Sequence, residues 1–232
     1  MLITKLVTRT GIEDIIQKIT DFADGIKPLY PDIRTCMKIV GSESVKCILP
    51  WTTPQLAVLF CEDKDGALEN VGFIYQQLEL YMQSLGLGSC WLGMGRLDPK
   101  ADTAPPEGMK FAMVLAFGDP KGEISRKSIS EFKRKRLEDI SDQADERLEP
   151  ARIAPSSVNS QPWYFIHDGD TIHAYCALSG FLRKKAPSNI NLIDMGIALS
   201  HLYVSNPDSF RFFRADSYPE RNGYSYTGSF RI

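Results

Sequence analysis

A chain of 232 residues, 43% hydrophobic and 24% charged, can bury a sizeable core as one large domain or as two small, closely packed halves. The net charge of −2 gives no case for nucleic acid or an anionic membrane as the main partner, and no apolar run is long enough to span a bilayer. Five scattered cysteines form no Cys-x-x-Cys pair, and His167, His173 and His201 do not cluster with other ligands at zinc spacings. Met1 to Arg9 lacks the apolar region and cleavage site of a signal peptide. Reduced thiols, a cytoplasmic location and no bound metal are the expectations.

Taken in chain order, Ile12 to Ile15 opens an amphipathic helix, and Gln55 to Phe60 reads as a buried strand. Asp65-Gly66 turns the chain into a helix from about Leu68 to Leu85. Val71, Ile74, Tyr75, Leu78, Tyr81, Met82 and Leu85 share one side, and Glu69, Gln77, Glu79 and Gln83 fall elsewhere. Gly86 is placed to cap that helix. Phe111 to Phe117 is a second apolar strand, ended by Gly118-Asp119-Pro120. Lys133 to Arg136 reads as a solvated helix face. Trp163 to Ile166 and Thr171 to Cys176 flank Asp168-Gly169-Asp170, a hairpin turn. Ile193 to Val204 is a second core helix, stopped at Asn206-Pro207, and Tyr224 to Ile232 reads as a closing strand. Strands and helices do not alternate regularly, which points to α+β.

The chain also repeats itself. Ile12-Glu13-Asp14-Ile15 reappears as Leu137-Glu138-Asp139-Ile140, an offset of 125. Gly72 and its neighbours reappear around Gly196, an offset of 124, and Leu78 falls opposite Leu202. Amphipathic helices all look somewhat alike, but a shared offset favours duplication. The two halves are expected at residues 1–125 and 126–232, each with a leading helix, a middle strand and a long core helix.

The most informative stretch is Ala151 to Ile166. A helix end runs into Pro155, two serines, an Asn and a Gln follow, and then a strand begins. Small hydroxyls and amides on a tight backbone offer neutral donors and acceptors to a flat, polar-edged ligand such as a flavin. A helix-to-strand loop capped by Ser and Asn is the plainer alternative. Gly86 to Gly95 is glycine-rich but follows a helix, so it is neither a dinucleotide fingerprint nor a nucleophile elbow.

Pro155-Ser156-Ser157-Val158-Asn159-Ser160-Gln161-Pro162-Trp163 resembles the flavin-contacting segment of the nitroreductase family. Gly66 to Gly72, followed by Leu85-Gly86-Leu87-Gly88-Ser89-Cys90-Trp91-Leu92-Gly93, resembles that family's central helix and the turn after it. The order of the two segments is similar to that of nitroreductases with two degenerate halves fused in one chain. The resemblance implies a nitroreductase-like α+β fold, an intrachain pseudo-dimer around mixed or antiparallel sheets.

It further implies one FMN per chain, with NAD(P)H as electron donor and a nitroaromatic or quinone-like small molecule as acceptor. By resemblance, Pro155, Ser156, Ser157, Asn159 and Gln161 contact the flavin, and Gly93 and Met94 lie at its reactive edge. Arg126 and Lys127 stand where the family holds the FMN phosphate. No acid–base residue is nominated, so no catalytic side chain is expected. Ile48-Leu49-Pro50-Trp51 keeps only Pro-Trp of the segment, so the other pseudo-site is expected to be lost. The family's N-terminal Arg-rich cluster is missing, with only Lys5, Arg9 and Lys18 before Asp21. The chain is expected as a monomeric pseudo-dimer or a homodimer. A degenerate, non-enzymatic flavin-fold protein is the alternative.

Overall fold

The structure is a computed structural model that describes residues 6–7, 11–47, 53–122, 126–179 and 186–232. Its elements are β1 (Leu6–Val7), α1 (Ile12–Asp24), β2 (Thr35–Gly41), β3 (Val45–Lys46), β4 (Gln55–Glu62), α2 (Ala67–Ser84), β5 (Gly88–Trp91), β6 (Arg96–Leu97) and β7 (Met109–Pro120). There follow α3 (Leu137–Ile140), α4 (Glu149–Ile153), β8 (Trp163–Asp168), β9 (Thr171–Ala177), α5 (Asn189–Ser205), β10 (Arg211–Phe213) and β11 (Tyr224–Arg231). The class is α+β, and every pairing between these strands is antiparallel. Two compact units divide the chain: Met1–Ala67 with Gln77–Arg126, and Leu68–Gln76 with Lys127–Ile232.

In the first unit β4 is the central strand, between β2 and β7. Its apolar run Leu56–Cys61 is buried throughout, as a strand covered on both faces requires. β5 and β1 also pair with β7, and β3 pairs with β6. Leu6, Leu56, Leu92, Val114 and Ala116 form a core cluster. α2 ends in a Schellman cap: Gly86 takes φ 78°, its N–H reaches Gln83 O at 2.9 Å, and Leu87 N–H reaches Met82 O at 3.0 Å. Beyond the cap, the Ser89 hydroxyl donates to Glu79 Oε1 at 2.7 Å, tying the start of β5 to the helix.

In the second unit the sheet order is β10-β11-β9-β8. Gly169, at φ 60°, closes the β8–β9 hairpin. Phe165 meets Phe230 edge-on, and Phe230 stacks on Phe210 at 5.6 Å, an aromatic core of the kind worth about 0.5–1.5 kcal/mol per pair beyond burial. Ser188 caps α5, its hydroxyl oxygen accepting from Asn191 N at 3.1 Å.

The two sheets share one connectivity. In order of adjacency, β2-β4-β7-β5 matches β8-β9-β11-β10. In each, a helix (α2 or α5) joins the second strand to the one at the far edge, and the last strand returns between them.

Three sequence expectations are corrected. Glu69, Gln77 and Glu79 are buried although they lie off the apolar stripe of α2, because this helix is buried all round from Ala67 to Glu79. Only Gln83 of that polar set is exposed. Lys133 to Arg136 is not helical. It is irregular, with Arg134 N–H donating to Phe132 O at 2.8 Å, its backbone held by the side chains of Asn159 and Gln161, and the Asp139 carboxylate accepts from Arg136 N at 3.2 Å. The second core helix starts at Asn189, four residues before the first apolar residue counted for it, because Ser188 caps it there.

Candidate functional site

The segment expected to bind a ligand lies wholly in the second unit. α4 stops at Ala154, whose ψ of 146° turns the chain extended before Pro155. Ser157–Asn159 then make one 3-10 turn in which Val158 has φ 47° and Asn159 φ 58°, and Gln161 follows at φ 47°. Left-handed backbone costs on the order of 1–3 kcal/mol for a non-glycine residue, most for a β-branched one. Val158 is also 95% exposed, so no apolar burial of its side chain offsets that strain.

Polar contacts hold the turn instead. Gln161 N–H donates to Ser156 Oγ at 2.9 Å, and Asn159 N–H donates to Ser156 O at 3.1 Å. Ser157 N–H is shared by both carboxylate oxygens of Asp194, each at 3.1 Å, and the Ser160 hydroxyl lies 3.5 Å from Asp194 Oδ2. Asp194 sits on α5 and is 3% exposed. Burial pushes its carboxyl up to about 7, against the opposing pull of the Ser157 and Ser160 bonds. Farther along α5, burial and the nearby Arg134 cation hold the His201 ring down at about 4, and its Nε2 is shut off from solvent.

The amides face the basic stretch before α3. Asn159 Oδ1 accepts from Arg134 Nη1, and Asn159 Nδ2 donates to Lys133 O at 2.8 Å. Gln161 Oε1 accepts from Lys135 N at 2.7 Å, its Nε2 donates to Asn159 O at 3.1 Å, and its own carbonyl accepts from Lys135 Nζ at 2.8 Å. Lys135 is exposed as a residue, yet partial desolvation lowers its ammonium pKa. Arg134 also donates from Nε to Ile153 O at 3.3 Å. The structure therefore brings Arg134, Lys135, Ser156, Ser157, Asn159, Gln161 and Asp194 together. Such a set offers two cations and several hydroxyl and amide groups around a strained backbone, which fits a polar ligand carrying a phosphate.

The remaining expected residues stand as follows. Gly93 and Met94, in the first unit, form the tip of a turn in which Gly95 N–H donates to Leu92 O at 3.0 Å, and Met94 is 65% exposed. Arg126 ends the first unit, and Lys127 begins the second, its backbone N–H donating to Glu131 Oε1 at 3.1 Å. Lys5, Arg9 and Ile48 to Trp51 lie outside the described residues. All five cysteines are free thiols, and no metal-holding group of His, Cys, Asp and Glu is found among the described residues. No helix among the described residues is long and apolar enough to cross a membrane.

Sequence reasoning missed Arg134, Lys135 and Asp194. A lone carboxylate inside the apolar run Leu192 to Leu199 was a usable signal, because a buried charge is kept only where donors converge on it.

The sequence profile of the family described as "Putative TM nitroreductase" matches residues 9–206. A "putative nitroreductase" of known structure from Thermotoga maritima MSB8 is 18% identical, with a TM-score of 0.50, covering 92% of this chain and 82% of that one. A nitroreductase family protein from Clostridium difficile 630 is 13% identical over 55% of this chain and 83% of that one, with a TM-score of 0.43. An FMN-dependent nitroreductase from Clostridium difficile R20291 is 15% identical over 57% of this chain and 90% of that one, with a TM-score of 0.42. None of the curated proteins matches the chain.

Proposed function

The chain belongs to the nitroreductase family described as "Putative TM nitroreductase", and from that premise we propose that it is an FMN-dependent oxidoreductase that reduces an electron-poor small molecule. One observation carries the reading. The segment that resembles the family's flavin-contacting motif is strained at Val158, Asn159 and Gln161, and its amides brace two cations, Arg134 and Lys135. Strain of this kind collects at ligand sites, where the surroundings over-determine the backbone.

Bound FMN supplies the redox chemistry, taking electrons from NAD(P)H and passing them to a nitroaromatic or quinone-like acceptor. The protein's part is to bind and orient. Pro155, Ser156 and Ser157 offer the turn's rigid backbone and hydroxyls, and Asn159 and Gln161 offer amides to the ring's polar edge. Arg134 and Lys135 are the cations that the geometry favours for the phosphate. Arg126 and Lys127 are proposed for the same role on resemblance alone. Gly93 and Met94 are proposed, also on resemblance, to present a backbone N–H to a flavin. Duplication of one ancestral half is supported by the matched strand order of the two sheets and by the glycine pair of α2 and α5. One FMN per chain is proposed because the sequence keeps a single Pro155–Trp163 segment and a single Gly86–Gly95 turn.

Titration of the FMN-free protein with FMN, followed by flavin fluorescence, tests the reading. Saturation at one FMN per chain is expected, with oxidation of NAD(P)H once an acceptor is added. Absence of any binding overturns it. A second reading also has an observation behind it: the side chains of Asn159 and Gln161 are already hydrogen-bonded within the chain. On that reading the fold binds a flavin without turning over, and FMN binding would come with no NAD(P)H oxidation.

A further inference from the structure

The strained turn has a second anchor, on α5. Its first residue, Ser157, and its fourth, Ser160, both point donors at one carboxylate, that of Asp194. Among the described residues no other group is hydrogen-bonded to that carboxylate. We propose that Asp194 is the positioning residue of the cofactor segment: its ionised carboxylate locks the turn in its ligand-holding shape, and protonation loosens it. Because FMN binding by this segment is itself proposed above, the role assigned to Asp194 rests on that reading.

The chemistry of the donors decides why a carboxylate is needed. A backbone N–H and a hydroxyl converge on it from the turn, and an ionised carboxylate accepts both without offering a donor of its own. Charge-assisted bonds of this kind are stronger than neutral ones, which suits a turn whose exposed Val158 contributes no burial. When the carboxyl is protonated, one oxygen becomes a donor. That oxygen becomes a weaker, neutral acceptor, and the charge assistance to the Ser157 N–H contact is lost.

The surroundings place this change in the range where cells work. Burial raises the carboxyl to about 7, and no cation opposes that shift. From β9, the Cys176 thiol faces the same region; it donates to Asn191 O at 3.3 Å, and burial followed by the fields of Glu69 and Asp194 push its pKa up, so it stays neutral. From α2, Glu69 reaches that same thiol. From α4, Arg152 is engaged by Glu149 and by Lys135 O. From the basic stretch before α3, Arg134 acts on His201 of α5. None of these is hydrogen-bonded to Asp194.

The test is amide hydrogen exchange of the FMN-free protein, read residue by residue as protection factors, beside FMN affinity over the same pH range. In the wild type, protection at Ser157 to Gln161 is expected to fall by about tenfold between about pH 8.5 and about pH 5.5, and FMN affinity to weaken with the same midpoint. Asp194→Asn is expected to flatten both profiles, because Asn does not titrate. Equal wild-type protection at both pH values overturns the role, and so does an Asp194→Asn protein that keeps the wild-type profile. If that variant does not fold, the wild-type profile decides alone. If FMN binds at no pH, the functional reading fails, while the exchange measurement still decides whether Asp194 anchors the turn.

Discussion

Gly72 on α2 and Gly196 on α5 meet with no room for a side chain on either. A Cβ on Gly72 would lie 2.0 Å from Ile193 O and 2.9 Å from Ile197 N, and a Cβ on Gly196 would lie 2.1 Å from Glu69 O and 2.8 Å from Phe73 N. The contact is reciprocal at a single offset, since Ile193 and Ile197 stand 124 residues after Glu69 and Phe73, as Gly196 does after Gly72. The two helices therefore approach backbone to backbone at both glycines.

Gly72→Ala and Gly196→Ala are therefore each expected to destabilise the protein strongly, by roughly 2–4 kcal/mol, because backbone rather than a flexible side chain must move. The matched clashes, 2.0 and 2.1 Å to backbone oxygens, predict similar losses for the two. Urea unfolding, compared at constant m-value, gives both numbers. Losses below about 1 kcal/mol would mean that the helices separate easily and that the close approach is unimportant.

The cation that holds a phosphate can be identified by comparing FMN with riboflavin. Arg134→Ala is expected to weaken FMN binding by about one to two decades and riboflavin binding far less, since only FMN carries the dianion. Arg126→Ala is expected to give the same selectivity if the resemblance places it correctly. Equal losses for both flavins in Arg134→Ala would show that the arginine acts only by supporting Asn159.

The legible parts of the fold were those with strong local signals. Gln55 to Phe60 reads as a buried strand, Gly86 as a helix cap and Asp168-Gly169-Asp170 as a hairpin turn, and each is determined by residues near in sequence. Lys133 to Arg136 was misread because four consecutive cations suit an exposed helix. A pair of amides 26 residues away holds their backbone out of a helix, a tertiary choice that no local pattern carries. The burial of Glu69 and Gln77 was hidden for a related reason: helical periodicity marks the most apolar face and is silent on whether the opposite face is also covered. In the candidate site the Ser-Ser-Asn-Gln segment was visible, whereas Asp194 and Arg134 enter only by folding back on it.

Two groups on α5 give opposing pH dependence. The Ser157 and Ser160 bonds favour the ionised carboxylate locally, but burial outweighs them and raises the Asp194 carboxyl from 3.8 to about 7, so the folded state as a whole binds a proton more readily than the unfolded chain, and this contribution to global stability is lost as pH rises from about 4 to about 7. The ring of His201 is lowered from 6.5 to about 4, so the unfolded chain takes the proton first, and stability from this group is lost as pH falls from about 6.5 to about 4. At their limits the two effects amount to roughly 4 and roughly 3 kcal/mol, and between about pH 4 and pH 6.5 their slopes nearly cancel. Asp194→Asn should therefore expose an acid-labile protein, and His201→Gln one that gains stability on acidification. Denaturant melts at several pH values read these slopes directly. Unchanged slopes in both variants would remove the two groups as the source.

Asn159 and Gln161 pose the last question, whether they hold a ring or only brace the chain. Each side-chain amide donates to a backbone carbonyl within the protein, Asn159 to Lys133 O and Gln161 to Asn159 O. Contact with a flavin edge exchanges one hydrogen bond for another, so the net gain per amide is modest, about 0.5–1.5 kcal/mol and more where the acceptor is charged. Negative charge grows on that edge when the flavin is reduced, so amide donors there favour the reduced form. The double substitution Asn159→Leu with Gln161→Leu is expected to weaken FMN binding and also to lower the bound-flavin reduction potential. Arg134→Ala removes a partner of Asn159 and a phosphate contact, and is expected to weaken binding with far less effect on the potential. Exchange protection at Ser157, held by Asp194 rather than by the amides, checks that the double variant keeps its turn. A double variant with that protection and the wild-type potential would show that the amides only brace Arg134 and Lys135, and the ring contact would have to be made by other groups.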